Sequence, residues 1–325
     1  MLFTALSCPQ CGAPLPRQAS WRTVSCAHCG ATVTRSKSVV EAARFREARA
    51  RVYAQACSAC APALRVVNWR TQRFRILAPL GRGEHAEVYL AERMGPLPQR
   101  LTLKLGYPET KPGVLAAEAD VLASLQQSSV QGAAYYTQHL PRPMAAGVTD
   151  DGNGPEREVL LLCHPSGYWG SLADVMHYAP TGIDPRHAVW IWRRILEVLA
   201  FVHASAWTHG DLAPEHLLAH PRDHGVLIIG WSRAQPIANS SAVARDLMQS
   251  AWVIRALLCG GDDRPTWSER IPAPLAELLR RSSEEAAWCA RAGARGLDEA
   301  LVVAAREAFG PARFIPFNPT AAYCV

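Results

Sequence analysis

His209-Gly210-Asp211-Leu212-Ala213-Pro214-Glu215-His216-Leu217-Leu218 is the stretch that decides how this chain is read. It sets an acid and an imidazole close together, after a long helical pattern and before the apolar run Val226-Leu227-Ile228-Ile229-Gly230-Trp231-Ser232. The helical pattern covers Asp184 to Trp207, where Val189, Trp192, Ile195, Leu196, Leu199 and Val202 recur at helical spacing and predict a buried helix. Farther out, the apolar run Phe74 to Leu80 leads into Gly81-Arg82-Gly83-Glu84-His85-Ala86-Glu87-Val88. Glycines in such a loop let backbone amides approach phosphates without Cβ clashes. Leu101-Thr102-Leu103-Lys104 reads as a strand, and Glu118 lies inside the helical pattern Val114 to Leu125.

Taken in order, these segments resemble the protein-kinase family in its bacterial, Ser/Thr-type form. Gly81, Gly83 and Val88 follow the Gly-x-Gly-x-x-Gly-x-Val loop with Ala86 in place of the third glycine. The resemblance makes Lys104 the phosphate-pairing lysine, Glu118 its helical partner, and Asp211 the base of the catalytic loop. Asp246, opening the apolar pattern Leu247 to Leu258, resembles the aspartate that braces that loop from below. The resemblance covers about residues 70 to 310. It implies an α+β class and a bilobal protein-kinase-like fold, with a β-rich N-lobe over 69–163 and an α-rich C-lobe over 164–325.

The departures from the family pattern carry the functional expectation. His216 stands where the family has the asparagine that holds Mg²⁺, and Gly230 where it has the metal-binding aspartate. Ala213 replaces the lysine two residues after the base, and Gly210 replaces the arginine before it. Thirteen residues, Arg233 to Arg245, lead from Gly230-Trp231-Ser232 to Asp246, too few for an activation segment with a peptide-binding shelf. Phosphoryl transfer rests on positioning and on neutralising charge, and losing one strong electrostatic group costs ~10²–10³ in rate. The expected protein is therefore a pseudokinase scaffold or regulator. It would bind ATP or another nucleotide through Gly81, Gly83, Val88, Lys104 and Glu118 without Mg²⁺, and Asp211 would be a vestigial base.

Other readings stay open at this point. A divergent kinase would use Asp211 as base and hold a softer metal through the His216 imidazole. The plainer alternatives are a packed His216 at a strand start and a purely structural Lys104–Glu118 ion pair. Trp231, in the family's phenylalanine position, is expected to pack with His209 and Leu122 in either case.

A second constellation precedes all of this. Cys8-Pro9-Gln10-Cys11-Gly12 and Cys26-Ala27-His28-Cys29-Gly30 are two Cys-x-x-Cys knuckles fourteen residues apart, each followed by glycine. Four thiolates so spaced close a tetrahedron around one structural Zn²⁺, which leaves no open coordination position for catalysis. The stretch 1–36 resembles a zinc ribbon with ligands Cys8, Cys11, Cys26 and Cys29. Cys57 and Cys60 form a third pair with no fourth to match, and read as thiols at a helix end.

Charge is placed unevenly. Of the 34 Lys/Arg and 28 Asp/Glu, residues 1–68 hold nine basic and two acidic, so the formal excess of +6 lies entirely in the ribbon and the segment after it. Val39 to Ala56 reads as a basic linker helix within 37–68, suited to a protein partner and, as a lesser alternative, to nucleic-acid phosphates. The tail Phe309 to Pro319 is rich in aromatic residues and proline, which predicts either a strap packed on the body or a partner-binding strip. No apolar stretch approaches the roughly 18 residues of a membrane span, and the first residues do not resemble a secretion signal, so a cytoplasmic protein without membrane contact is expected.

Overall fold

The computed structural model describes residues 65–319 apart from 96–98, 150–155, 166, 222–223 and 261–269, and before them 5–8, 10–11, 13–15, 24–26, 31–33 and 39–40. Short strands dominate the early segment: β1 (Ala5–Ser7), β2 (Pro14–Leu15), β3 (Val24–Ser25), β4 (Thr32–Val33) and β5 (Val39–Val40). β2, β1 and β5 form one antiparallel sheet and β3 pairs with β4. The helix expected from Val39 to Ala56 does not begin there. Val39 and Val40 pair with Leu6 and Ala5 instead, and residues 41–64, with Cys57 and Cys60, lie outside the described residues.

From Val66 to Cys163 alternation governs. Strands β6 (Val66–Trp69), β7 (Gln72–Arg82), β8 (Ala86–Arg93), β9 (Gln99–Gly106), β10 (Pro143–Thr149) and β11 (Arg157–Cys163) form an antiparallel sheet in the order β10-β11-β9-β8-β7-β6. Successive side chains on a strand face opposite ways. On β11, Val159 and Leu161 join Leu101, Leu103, Leu105, Phe74 and Trp69 in a core on one face, while Leu160 and Leu162 join the main core on the other. Helix α1 (Val114–Gln126) packs on that second side through Leu115, Val121, Leu122 and Leu125. No side chain of its own caps it. Glu158 of β11 accepts from the Gly113 and Leu115 amides at 2.9 and 3.2 Å, satisfying exposed donors at the positive end of the helix.

Helices follow: α2 (Ala133–Tyr136), α3 (Leu172–Tyr178), α4 (Pro185–Ala204), α5 (Ser240–Cys259), α6 (Ala273–Glu284) and α7 (Ala286–Phe309). Asp184 caps α4 by accepting from the Arg186 amide at 2.8 Å, with Pro185 in the first turn where its missing N–H costs nothing. The periodic residues of α4 are buried, and the Trp192 indole donates to Ser250 of α5 at 3.1 Å. The two closing helices, α6 and α7, complete the helical half, with a kink in α7 at Gly293 (φ 63°). Between α4 and α5 lie short strands: β13 (Trp207–Thr208) pairs with β16 (Gln235–Pro236), and β14 (Leu217–His220) pairs with β15 (Gly225–Ile228) and with β12 (Gly170–Ser171).

The tail packs back. Phe317 is buried, its ring 5.0 Å from that of His187 and 5.5 Å from that of His224. Phe314 packs against the early segment, and its amide donates to the Cys11 carbonyl. No helix among the described residues is long and apolar enough to cross a membrane.

Candidate functional site

Strand register assembles the first part of the site. Gly81 lies opposite Val88, Val88 opposite Lys104, and Lys104 opposite Leu160, so one cross-strand row runs over β7, β8, β9 and β11. Side chains of directly opposed residues share a face. That face carries α1, and Glu118 reaches Lys104 with a 2.5 Å contact between Oε2 and Nζ. The glutamate side chain is 1% exposed and its other oxygen accepts from the Trp231 amide at 3.3 Å. One buried carboxylate thus joins the lysine strand to the turn after β15. The hairpin carrying Gly81 and Gly83 turns tightly, with the Gly83 amide donating to the Ala86 carbonyl at 2.9 Å. A Cβ at Gly81 would meet nothing within 4 Å, so the chain's own packing does not demand glycine there.

The lower wall is held from beneath. Asp246 is fully buried and accepts from the His209 amide at 2.9 Å and the Gly210 amide at 2.8 Å, and contacts His203 Nε2 at 2.9 Å. Gln249 accepts from the Leu212 amide at 3.0 Å. These bonds fix the backbone on which Asp211 stands. His209 is itself buried, and desolvation lowers its pKa, keeping the ring neutral. It donates from Nε2 to the Ile229 carbonyl at 2.9 Å, which fixes the tautomer, and Nδ1 accepts the Asp211 amide at 3.3 Å. The Trp231 ring meets that of His209 edge-on with centroids 4.7 Å apart, and Trp231 shares its apolar cluster with Leu122.

His216 and Gly230 come together. The imidazole donates from Nδ1 to the Asp211 carbonyl at 2.7 Å, with Asp211 Oδ2 3.8 Å away, and its ring occupies the space beside Gly230 where a side chain would start. A Cβ placed at Gly230 would stand 2.6 Å from His216 Cδ2, closer than any side chain tolerates. Gly230 also has φ +80°, a conformation glycine adopts without cost. Neither position supplies an oxygen ligand for a hard cation, and the ring fills the space a carboxylate at 230 would need. Residues present here do not fit Mg²⁺. Among the described residues His216 belongs to no cluster of three or more metal-ligating side chains.

One contact had no sequence signal. Arg233, at the end of the turn Trp231–Arg233, donates to Glu84 of the glycine hairpin at 2.6 Å, and its Nε is 3.9 Å from Asp211 Oδ2. The two groups are 149 positions apart. Their pairing lowers the pKa of Glu84 and raises that of Arg233.

The cysteine site is built from repeated turns. The Cys8 amide donates to the Ala13 carbonyl at 2.7 Å and the Cys26 amide to the Ala31 carbonyl at 2.8 Å, the same spacing in each knuckle. Sγ atoms of Cys8, Cys11 and Cys26 lie within 4.8 Å of one another, and all three residues are buried. Cys11 and Cys26 Sγ are 3.7 Å apart, far beyond a covalent S–S bond. A metal held tetrahedrally at about 2.3 Å from each sulfur sets its ligands about 3.8 Å apart, so these thiols fit such an ion. Cys29, the expected fourth ligand, lies outside the described residues.

Serine/threonine-protein kinase pkn2 of Myxococcus xanthus is similar to this chain, 28% identical over 174 residues. The similarity covers 52% of this chain and 19% of that protein, so the chain spans only a minor part of its relative. No protein-family model matches. The structure is mixed α+β, and together with this similarity it supports a kinase-like fold.

Proposed function

We propose that this chain is a pseudokinase: a kinase-like cleft that takes nucleotide without divalent metal, does not transfer phosphate, and serves as a scaffold or regulator. The observation that carries the reading is the packing of the His216 ring on Gly230. Two metal-ligand positions are substituted, and the His216 ring occupies the space that a side chain restored at 230 would need. Lys104, held by Glu118 beside the row from Gly81 to Val88, supports retention of nucleotide binding. The metal of the cysteine module is zinc on this reading, because thiolates with closed tetrahedral geometry select it, and its role is structural. The module then offers a docking element for a protein partner, with nucleic acid as the lesser alternative.

A second reading has support of its own. Asp211 stands on a backbone braced by Asp246 and its side chain is 39% exposed, as a base in a divergent active kinase would need to be. Thermal-shift titration with ATP, with and without Mg²⁺ or Mn²⁺, separates the two when combined with γ-labelled ATP. The pseudokinase reading expects stabilisation by ATP in EDTA and no label on protein or added substrate. Stabilisation that requires metal, together with label transfer, would sink it.

A further inference from the structure

Arg233 sits where no assigned role has placed a cation. Its guanidinium bridges the tip of the glycine hairpin, through Glu84 at 2.6 Å, and the carboxylate of Asp211, 3.9 Å from Nε. If the cleft takes nucleotide, as proposed above, the polyphosphate lies in this space between hairpin and loop. The neighbouring cations are committed elsewhere. Lys104 is held by the buried Glu118, Arg82 and Arg157 lean on Glu87 at 3.4 and 3.2 Å, and His216 spends Nδ1 on the Asp211 carbonyl; His85 also approaches Glu84, at 3.7 Å, but as an imidazole it lacks the fixed charge of a guanidinium. Of the lysine and arginines here, Arg233 is the one tied to groups that are themselves well exposed, Glu84 at 57% and Asp211 at 39%. Exposed pairs of this kind hold weakly in water.

The backbone is shaped to bring it there. Gly210, with φ +80°, lies so close to Arg233 that a Cβ would stand 2.8 Å from the Arg233 carbonyl oxygen. Any side chain at 210 would displace the backbone that carries Arg233. A guanidinium matches two phosphate oxygens at once, and it needs no acidic ligands to hold it in place.

We propose that Arg233 is the cation that replaces divalent metal in this cleft: it binds the terminal phosphates of a metal-free nucleoside di- or triphosphate, and its pair with Glu84 is the resting latch that such a ligand opens. The ligand exchanges one singly charged carboxylate for a more highly charged phosphate. Excess Mg²⁺ therefore competes, because it withdraws the uncomplexed nucleotide that the arginine recognises.

Calorimetric titration of the full chain in EDTA tests this with ATP and, as a phosphate-free control, adenosine. Arg233→Ala is expected to weaken ATP by about tenfold or more, the scale of a lost charged hydrogen bond, and to leave adenosine unchanged. Glu84→Gln, which removes the competing charge, is expected to tighten ATP several-fold. ATP affinity in Arg233→Ala equal to wild type overturns this inference and leaves the nucleotide cleft standing. Equal weakening of ATP and adenosine overturns it too, since the effect is then on the fold. Should Arg233→Ala fail to fold, unchanged or weaker ATP binding in Glu84→Gln overturns it. Absence of any binding by wild type and Glu84→Gln overturns the cleft reading along with it.

Discussion

At the scale of single residues, the pair His216 and Gly230 makes a prediction that neither makes alone. Gly230→Asp in the wild-type background forces a Cβ into the imidazole and is expected to cost about 1–3 kcal/mol in stability, the usual range for overpacking. His216→Asn removes the ring, so the double variant should recover the part of that loss due to the clash and keep the part due to the left-handed backbone at 230. Chemical denaturation of the four members of the cycle measures the coupling. The same double variant should acquire Mg²⁺-dependent affinity for ATP if the cleft is otherwise intact. His187 offers a second test. Burial pushes its pKa down to about 4, so the folded state resists protonation while the unfolded chain takes a proton near pH 6.5. The stability it contributes is present above pH 6.5 and falls away as pH drops toward 4. The margin of wild type over His187→Phe should therefore shrink across that window. Glu197, which burial holds up at about 7, shifts stability the other way but is present in both proteins and cancels.

At the scale of elements, α1 depends on a carboxylate borrowed from a neighbouring strand. Removing it with Glu158→Ala should cost about 1–2 kcal/mol, as for other lost helix caps. Amide exchange at 114–118 should speed up more than exchange in α4, and uniform acceleration would deny the local role. Elements of this kind show what a sequence exposes and what it hides. Lys104 and Glu118 were legible through the family likeness, which pairs a strand lysine with an acid of the next helix, and α4 because its apolar residues recur every third or fourth position. Val39 and Val40 misled for the converse reason. Two residues carry no period, and their pairing with Leu6 and Ala5 is a long-range choice. Arg233 with Glu84, and the ring of His216 on Gly230, depend on how turns are stacked in space. No local pattern announces them. Asp246 was readable only through a family likeness, since one acid at a helix start has many uses.

At the scale of the whole molecule, Phe314 and Phe317 join parts that lie roughly three hundred positions apart in the numbering. Phe317 is set among His187 and His224 of the helical half, and Phe314 completes the core around Cys8, Cys11 and Cys26. In polymer terms the chain is closed into a non-covalent ring, and if the cysteines hold metal, as proposed above, its fastening depends on that metal. Opening such a ring returns configurational entropy to the tail, and the cost of closing it grows only slowly with contour length. Chelation, or Cys8→Ser, should thus be felt at 311–319 as new protease cleavage, even though no ligand lies there. A tail that stayed equally resistant after metal was stripped would mean the ring is fastened by the aromatic rings alone.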